Sequence, residues 1–187
     1  MIRTRDTFCS YCGTAYAPPL AYPRTCANPA CGVQVWANPI PVAVALVPVV
    51  HRERTGLLVV RRAIEPRIGM LALVGGFIEE HETWQAAAAR EVREEAGVTI
   101  DPARVESFWC VSTEPKPNRI LLFALAGEAL DARALPPLPA NHEASERGAV
   151  FGPAGLAEVL AFPLHARAAE RWFASRGERG PHDYATL

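Results

Sequence analysis

Three carboxylates crowd the end of one short stretch, "GGFIEEHETWQAAAAREVREEAGV", residues 75 to 98. Thr83 suits an N-cap and Gly97 a C′ position, and the interior between them has high helix propensity. At about 100° per residue, Glu91, Glu94 and Glu95 fall within an arc of about 100°, with Glu91 and Glu95 one turn apart. A helix C-terminus carries partial negative charge, and like charges at i,i+4 repel. A solvated charged face, eased by an Arg90–Glu94 pair, is one account of this cluster. A hard divalent cation such as Mg²⁺ is the other, because such ions take oxygen ligands. The glutamates sit among alanines rather than lysines, and a Gly75-Gly76 turn lies just upstream, where a bare carbonyl can join them. Both features favour the cation.

A second constellation lies near the start of the chain. Cys9-x2-Cys12-Gly13 and Cys26-x4-Cys31-Gly32 form two close pairs separated by 13 residues. Two pairs joined by a loop supply four converging thiolates, the set a tetrahedral Zn²⁺ requires. The segment is short and proline-rich, so a metal would be what folds it. A closed four-sulfur shell leaves no open position, so the site is expected to be structural. Two disulfides or four unlinked thiols are the alternatives. Cys110, within "FWCV", reads as a small buried hydrophobe.

Several elements must position these groups. Residues 41 to 50 and 56 to 62 read as a hairpin, and 69 to 77 as a short strand ending at the two glycines. Residues 104 to 113 and 118 to 127 read as strands joined by the "EPKP" turn. Residues 135 to 148 read as a loop, 149 to 151 as a short strand, and 153 to 161 and 163 to 177 as helices. Trp84, Ala88 and Val92 recur every four residues and are expected to face the core. Strands with a few helices, not strictly alternating, suggest an α/β fold with a mixed sheet covered on both sides.

The chain of 187 residues suits one domain with a small appendage. Half the residues are hydrophobic, so a sizeable core is available, and the formal charge of −1 gives no sign of nucleic-acid binding. The N-terminus lacks an apolar stretch of signal-peptide length, and the longest apolar run, residues 39 to 50, is too short to span a bilayer. A soluble, cytoplasmic protein with no membrane partner is expected.

Gly76, Glu82, Arg90, Glu91, Val92, Glu94, Glu95, Gly97 and Val98 match G-x5-E-x7-R-E-U-x-E-E-x-G-U at all nine specified positions over 23 residues. On these residues the chain resembles the Nudix hydrolases. The four-cysteine segment, the C-terminal helix and the ending "HDYATL" resemble a zinc-ribbon subgroup that includes NADH pyrophosphatases and the plant chloroplast-type FAD and ADP-ribose pyrophosphatases. The resemblance implies a zinc ribbon over residues 1 to 37 and a Nudix α/β/α sandwich over 38 to 187. It implies Mg²⁺- or Mn²⁺-dependent hydrolysis of a nucleoside diphosphate linked to another group, such as ADP-ribose or FAD, releasing a mononucleotide. The expected partner is a small nucleotide, and a homodimer is compatible.

Carried over residue by residue, Glu91 and Glu95 hold the catalytic metal, with Glu94 beside them and the Gly75 carbonyl as a further ligand. Arg90 and Glu82 orient the glutamates. Many Nudix enzymes use another glutamate outside the signature, and Glu143 and Glu146 are the candidates; both also read as ordinary loop acids. Arg62 and Arg67 are candidates for substrate phosphates, or plain exposed arginines. Phe108 and Trp109 can stack a nucleobase or flavin, although one of an adjacent pair on a strand must face the core. The five histidines show no ligand spacing. NADH pyrophosphatases carry S-Q-P-W-P-F-P after the signature, where this chain has "VSTEPKPNRI". NADH therefore ranks behind ADP-ribose and FAD. The alternatives are an NADH pyrophosphatase, a housecleaning nucleoside triphosphate hydrolase, and a nucleotide-sensing zinc-ribbon binding module.

Overall fold

The computed structural model describes residues 7–114, 118–140 and 142–187. The chain divides into two compact units, one through Pro39 and one over Ile40–Leu187. In the first, a two-stranded antiparallel ribbon, β1 (Arg24–Thr25) and β2 (Gln34–Val35), carries the second cysteine pair at its turn.

The second unit begins with β3 (Ile40–Leu46), β4 (Pro48–His51) and β5 (Arg54–Arg62). The apolar run read as one strand thus breaks at Val47. β3 lies between β7 (Gly75–Phe77), antiparallel, and β9 (Arg119–Leu125), parallel, with β8 (Glu106–Ser112) at the edge. β4 instead pairs with β5 as the expected hairpin, in a second sheet. The stretch 69 to 77 is likewise two strands, not one. β6 (Leu71–Ala72) pairs with β5, while β7 pairs with β3. Val47 and Val74 sit at these crossings, fully buried. Their carbonyls accept from Leu58 N (2.9 Å) and Ala45 N (2.8 Å), which ties the two sheets together. Such a break leaves no sequence signal, because both sides of it are equally apolar.

The glutamate-bearing helix, α1, spans Trp84–Ala96. Thr83 caps its start, accepting from Ala86 N, and Gly97 ends it at φ 68°. The second sheet continues with β10 (Leu130–Asp131), β11 (Ala144–Phe151) and, after α2 (Leu156–Val159) and α3 (Pro163–Ser175), with β12 (Asp183–Thr186). β11 corrects the reading of residues 144 to 148 as loop, α2 is shorter than expected, and β12 is an additional strand. Ala144–Phe151 carries charged residues that mask the strand pattern, yet pairs with β5 on one side and β12 on the other. Pro115, Lys116 and Pro117 of the expected "EPKP" turn lie outside the described residues.

The core has two layers because strand side chains alternate. Ala43, Ala45, Leu58 and Val60 pack against Ala87, Ala88, Val92 and Ala96 of α1. Val44, Leu46, Leu57 and Val59 pack on the other face against α2 and α3, including Ala168, Ala169, Trp172 and Phe173. Helices therefore cover both faces of mixed sheets, as expected. No helix among the described residues is long and apolar enough to cross a membrane.

The additional strand closes on a polar tie. Glu146 accepts from Arg61 Nε (2.8 Å), Tyr184 Oη (2.6 Å) and Thr186 Oγ1 (2.5 Å). These donors hold its carboxyl down at about 2, the Arg61 guanidinium contributing most. An acid with a lowered folded-state pKa stabilises above its unfolded pKa and loses that contribution as pH falls toward the folded value. Glu146→Gln should thus cost about 1–2 kcal/mol near pH 7, since charge-assisted bonds are lost. Thermal melts between pH 7 and pH 2 should show the gap to wild type narrowing from about pH 4.5 downward. A gap independent of pH would contradict this role.

Candidate metal and catalytic site

Gly75 and Gly76, expected as a turn, lie in β7, and α1 presents its glutamates beside them because β7 ends one short loop before the helix begins. Gly75 N donates to Glu95 Oε2 at 3.3 Å. A Cβ on Gly76 would displace the Glu91 carboxylate, and a Cβ on Gly75 would collide with the backbone of Ala43 and Val44, so glycine at 75 is what lets β7 lie against β3 here. Arg90 binds the loop to the helix. Its Nε and Nη2 grip Glu82 at 3.2 and 2.8 Å, Nη2 also donates to the Phe77 carbonyl (2.9 Å), and Nη1 donates to Glu91 (2.7 Å) and Glu94 (3.2 Å). These five bonds match the five N–H donors of a guanidinium. Glu82 in turn accepts from Glu79 N at 2.8 Å, closing the loop on itself. Arg90 and Glu82 therefore organise the turn, and Glu82 is held below the usual carboxylate range, chiefly by Arg90.

The clustered glutamates differ in environment. Glu94 is 51% exposed and pairs with Arg90 and Arg93. Glu91 is 12% exposed, and burial raises its pKa against the pull of Arg90. Glu95 is pushed up to about 8, first by burial and then by the Glu91 charge, with the Gly75 N–H and Arg62 opposing. Glu143 repels both Glu91 and Glu95, which places its charge on their side. Glu146 is elsewhere. A β-bulge between Ala144 and Glu146 sets Ala144 opposite Arg62 and Glu146 opposite Arg61. In a regular strand both would face α1; the bulge re-aims Glu146 into its tie with Tyr184 and Thr186.

Desolvated carboxylates of one sign, with oxygen donors only, fit a hard divalent cation. Their oxygens are not drawn together. Among the described residues, the four cysteines are the group of three or more ligand side chains whose atoms lie within 4.8 Å of one another. Mutual repulsion and the grip of Arg90 on Glu91 account for the spread.

The cysteines do converge. Cys9 Sγ lies 3.9 Å from Cys31 Sγ, and Cys12 Sγ 3.5 Å from Cys26 Sγ. Zn–S bonds of about 2.3 Å give a tetrahedron with edges of about 3.8 Å, close to this spacing and far beyond a disulfide. Gly13 and Gly32 both adopt positive φ, and the chain folds back as Cys9 N donates to Thr14 O and Cys26 N to Val33 O, each at 2.8 Å. Donors to sulfur, led by the Thr14 hydroxyl, lower Cys12 to about 6.

The remaining candidates are less converged. Arg62 donates to the carbonyls of Pro66 (2.8 Å) and Ile64 (3.3 Å) and lies over the Phe162 ring, while Arg67 is exposed. Trp109 stacks on Phe123 and is covered by Arg167 and Arg171, and Cys110 is exposed rather than buried. Sequence reasoning missed Arg147, a buried cation against the end of α1. Its signal is weak, an arginine within an apolar-flanked strand.

A model of the NUDIX domain matches residues 39–173. Over 128 residues the chain is 33% identical to the NAD-capped RNA hydrolase NUDT12 of Homo sapiens, covering 66% of this chain and 27% of that protein. It thus spans about a quarter of that relative's length. The crystal structure of a NUDIX hydrolase from Nitrosomonas europaea superposes with a TM-score of 0.63 at 23% identity, over 93% of this chain and 95% of that one. The NUDIX domain of Shewanella oneidensis NrtR, complexed with ADP ribose, superposes with a TM-score of 0.61 at 20% identity, over 75% of this chain and 90% of that one.

Two outcomes follow from the geometry. A buried acid with a raised pKa destabilises metal-free protein as pH rises from its unfolded to its folded value, here from 4.5 to about 8. In EDTA, Glu95→Gln should therefore gain on wild type across this range, by on the order of 2 kcal/mol at pH 8, as read by thermal melts. For the cysteines, elemental analysis should find one zinc per chain, and Cys26→Ser should lose it; metal-free protein with cysteines in disulfides would contradict the assignment.

Proposed function

The chain belongs to the NUDIX family, and from that premise we propose that it is a Mg²⁺- or Mn²⁺-dependent pyrophosphohydrolase. Its substrate is a nucleoside diphosphate linked to another group, cleaved to a mononucleotide and a second phosphorylated product. The observation that carries this reading is the pair of desolvated carboxylates, Glu91 and Glu95, beside Gly75 and Gly76 of β7 and within the field of Glu143. Glu91 and Glu95 would hold the cation, with the Gly75 carbonyl and Glu94 at its margin. A bound divalent ion neutralises the diphosphate and makes water a better nucleophile. Arg90 and Glu82 hold the glutamate-bearing turn in place. Glu143, rather than Glu146, is the outside carboxylate available to accept a proton from water. Arg62 and Arg67 border the approach and can meet phosphate oxygens once the substrate competes for Arg62's loop carbonyls. The four cysteines would hold a structural zinc.

The substrate class follows from shared chemistry. One similar protein is named for NAD-capped RNA and another was crystallised with ADP ribose. Both ligands contain adenosine diphosphate, which supports an ADP-containing substrate. The departure of "VSTEPKPNRI" from the NADH-pyrophosphatase segment favours ADP-ribose or FAD over NADH. NADH pyrophosphatase activity remains the second reading, supported by the relative's NAD-containing substrate.

The test is a panel of ADP-ribose, FAD, NADH, NAD⁺, NAD-capped RNA, diadenosine polyphosphates, CoA and oxidised dGTP, with products identified. Cleavage of a diphosphate linkage should require Mg²⁺ and vanish in EDTA. Glu95→Gln should lower kcat by several orders of magnitude, and Glu143→Gln should lower it far more than Glu146→Gln. NADH cleaved at least about tenfold better than ADP-ribose and FAD, a gap of about 1.4 kcal/mol, would overturn the ranking alone. No cleavage of any diphosphate would overturn the enzyme reading and favour a sensing module.

A further inference from the structure

Arg147, on β11, is 3% exposed. Its Nη1 donates to the Ala96 carbonyl at 2.7 Å, and its Nη2 to the Pro136 carbonyl, also at 2.7 Å. No ion pair holds it among the described residues, its Nε finds no acceptor, and burial pulls its pKa down. Burying a cation without a carboxylate is expensive, and apolar packing commonly serves stability as well or better. The position of this cation is therefore informative. Ala96 is the last residue of α1, and its carbonyl is one of the orphan acceptors at the negative end of the helix. One turn earlier, Val92 O and Arg93 O accept from Val98 N and Gly97 N in the cap at Gly97. Arg147 supplies a donor to the last of these carbonyls and opposes the negative end of the dipole with a full charge.

The second acceptor, the Pro136 carbonyl, lies beside the same helix end. Pro136 belongs to residues 135 to 139, which close over the helix end. A Cβ on Gly97 would collide with Pro139, and Leu135 packs on the α1 side of the core. Arg147 lies on β11, which begins at Ala144 directly after Glu143, so its guanidinium binds the end of the helix bearing Glu91 and Glu95 to the strand that follows Glu143. These two pieces of chain are otherwise distant in sequence.

We propose that Arg147 is a positioning residue for the metal site, fixing the spacing between the α1 glutamates and Glu143 by binding β11, which follows Glu143 directly, to the Ala96 carbonyl. This rests on the metal-site reading above. A side chain in the core that only filled space would affect melting temperature and leave metal affinity of the folded protein alone. One that sets the spacing of ligands would change metal affinity, by the tenfold or more typical of groups that orient ligands.

The test is Mn²⁺ binding to the full chain, read from the electron paramagnetic resonance signal of free Mn²⁺, for wild type, Arg147→Met, Arg147→Lys and Glu95→Gln, each with its melting curve. Arg147→Met should weaken Mn²⁺ binding at least about tenfold below its melting transition, with KM for the hydrolysed substrate nearly unchanged at saturating Mn²⁺. Arg147→Lys keeps the charge but reaches one carbonyl at a time, so it should fall between. It decides the matter if the methionine variant does not fold. Wild-type affinity in a folded variant would overturn the positioning role while leaving the metal site standing. Failure of wild type to bind Mn²⁺, or equal binding by Glu95→Gln, would overturn the metal-site reading and this inference with it.

Discussion

The structure turns on one electrostatic constraint: Glu91 and Glu95 lie one turn apart, largely desolvated, at the negative end of α1. Burial raises the cost of ionising both; the Glu91 charge adds to it at Glu95, and the Glu94 and Glu143 charges add to it at Glu91. Water cannot relieve this, and the arginines relieve it incompletely. Arg90 engages Glu91 and Glu94, yet its strongest grip is on Glu82. Glu95 keeps a pKa of about 8 even so. A cation bound between them would remove the conflict, and this is what favours the proposed metal site over a solvated face.

Much of the surrounding structure serves to hold that conflict in place. Gly76 lets the Glu91 carboxylate approach the backbone, and Gly75 offers its N–H to Glu95. The Nε and Nη2 donors of Arg90 fasten residues 77 to 82 to the helix. At the far end, Arg147 lays a cation on the last carbonyl of α1. Arg90 thus ties the helix to the loop before it, and Arg147 holds the carbonyl at its C-terminal end. Such anchoring limits how far the glutamates can swing apart, so part of their repulsion persists in the folded state.

The site was legible in the sequence where it is local. The glutamates, Arg90, Glu82 and the glycines lie within one continuous segment, whose spacing alone sets their helical arc and caps. The cysteine pairs were legible for the same reason. Long-range partners were not. Arg147 meets α1 across 51 positions and Tyr184 meets Glu146 across 38, and no local pattern announces either. Glu143 and Glu146 looked equivalent from sequence because a bulge, which re-aims one side chain, has no reliable signature. The sheets themselves were legible as strands but not in their division. Val47 and Val74 are ordinary buried valines, and only their hydrogen bonds show that the chain passes there from one sheet to another.

The central claim is that a divalent cation resolves the Glu91–Glu95 conflict. Anomalous diffraction at the manganese edge, from crystals of the wild-type chain soaked in Mn²⁺, tests it most directly. The account predicts a manganese peak between the Glu91 and Glu95 carboxylates, on the side facing Glu143. Crystals that bind manganese elsewhere, with Glu91 still paired to Arg90 and no peak at Glu95, would contradict it.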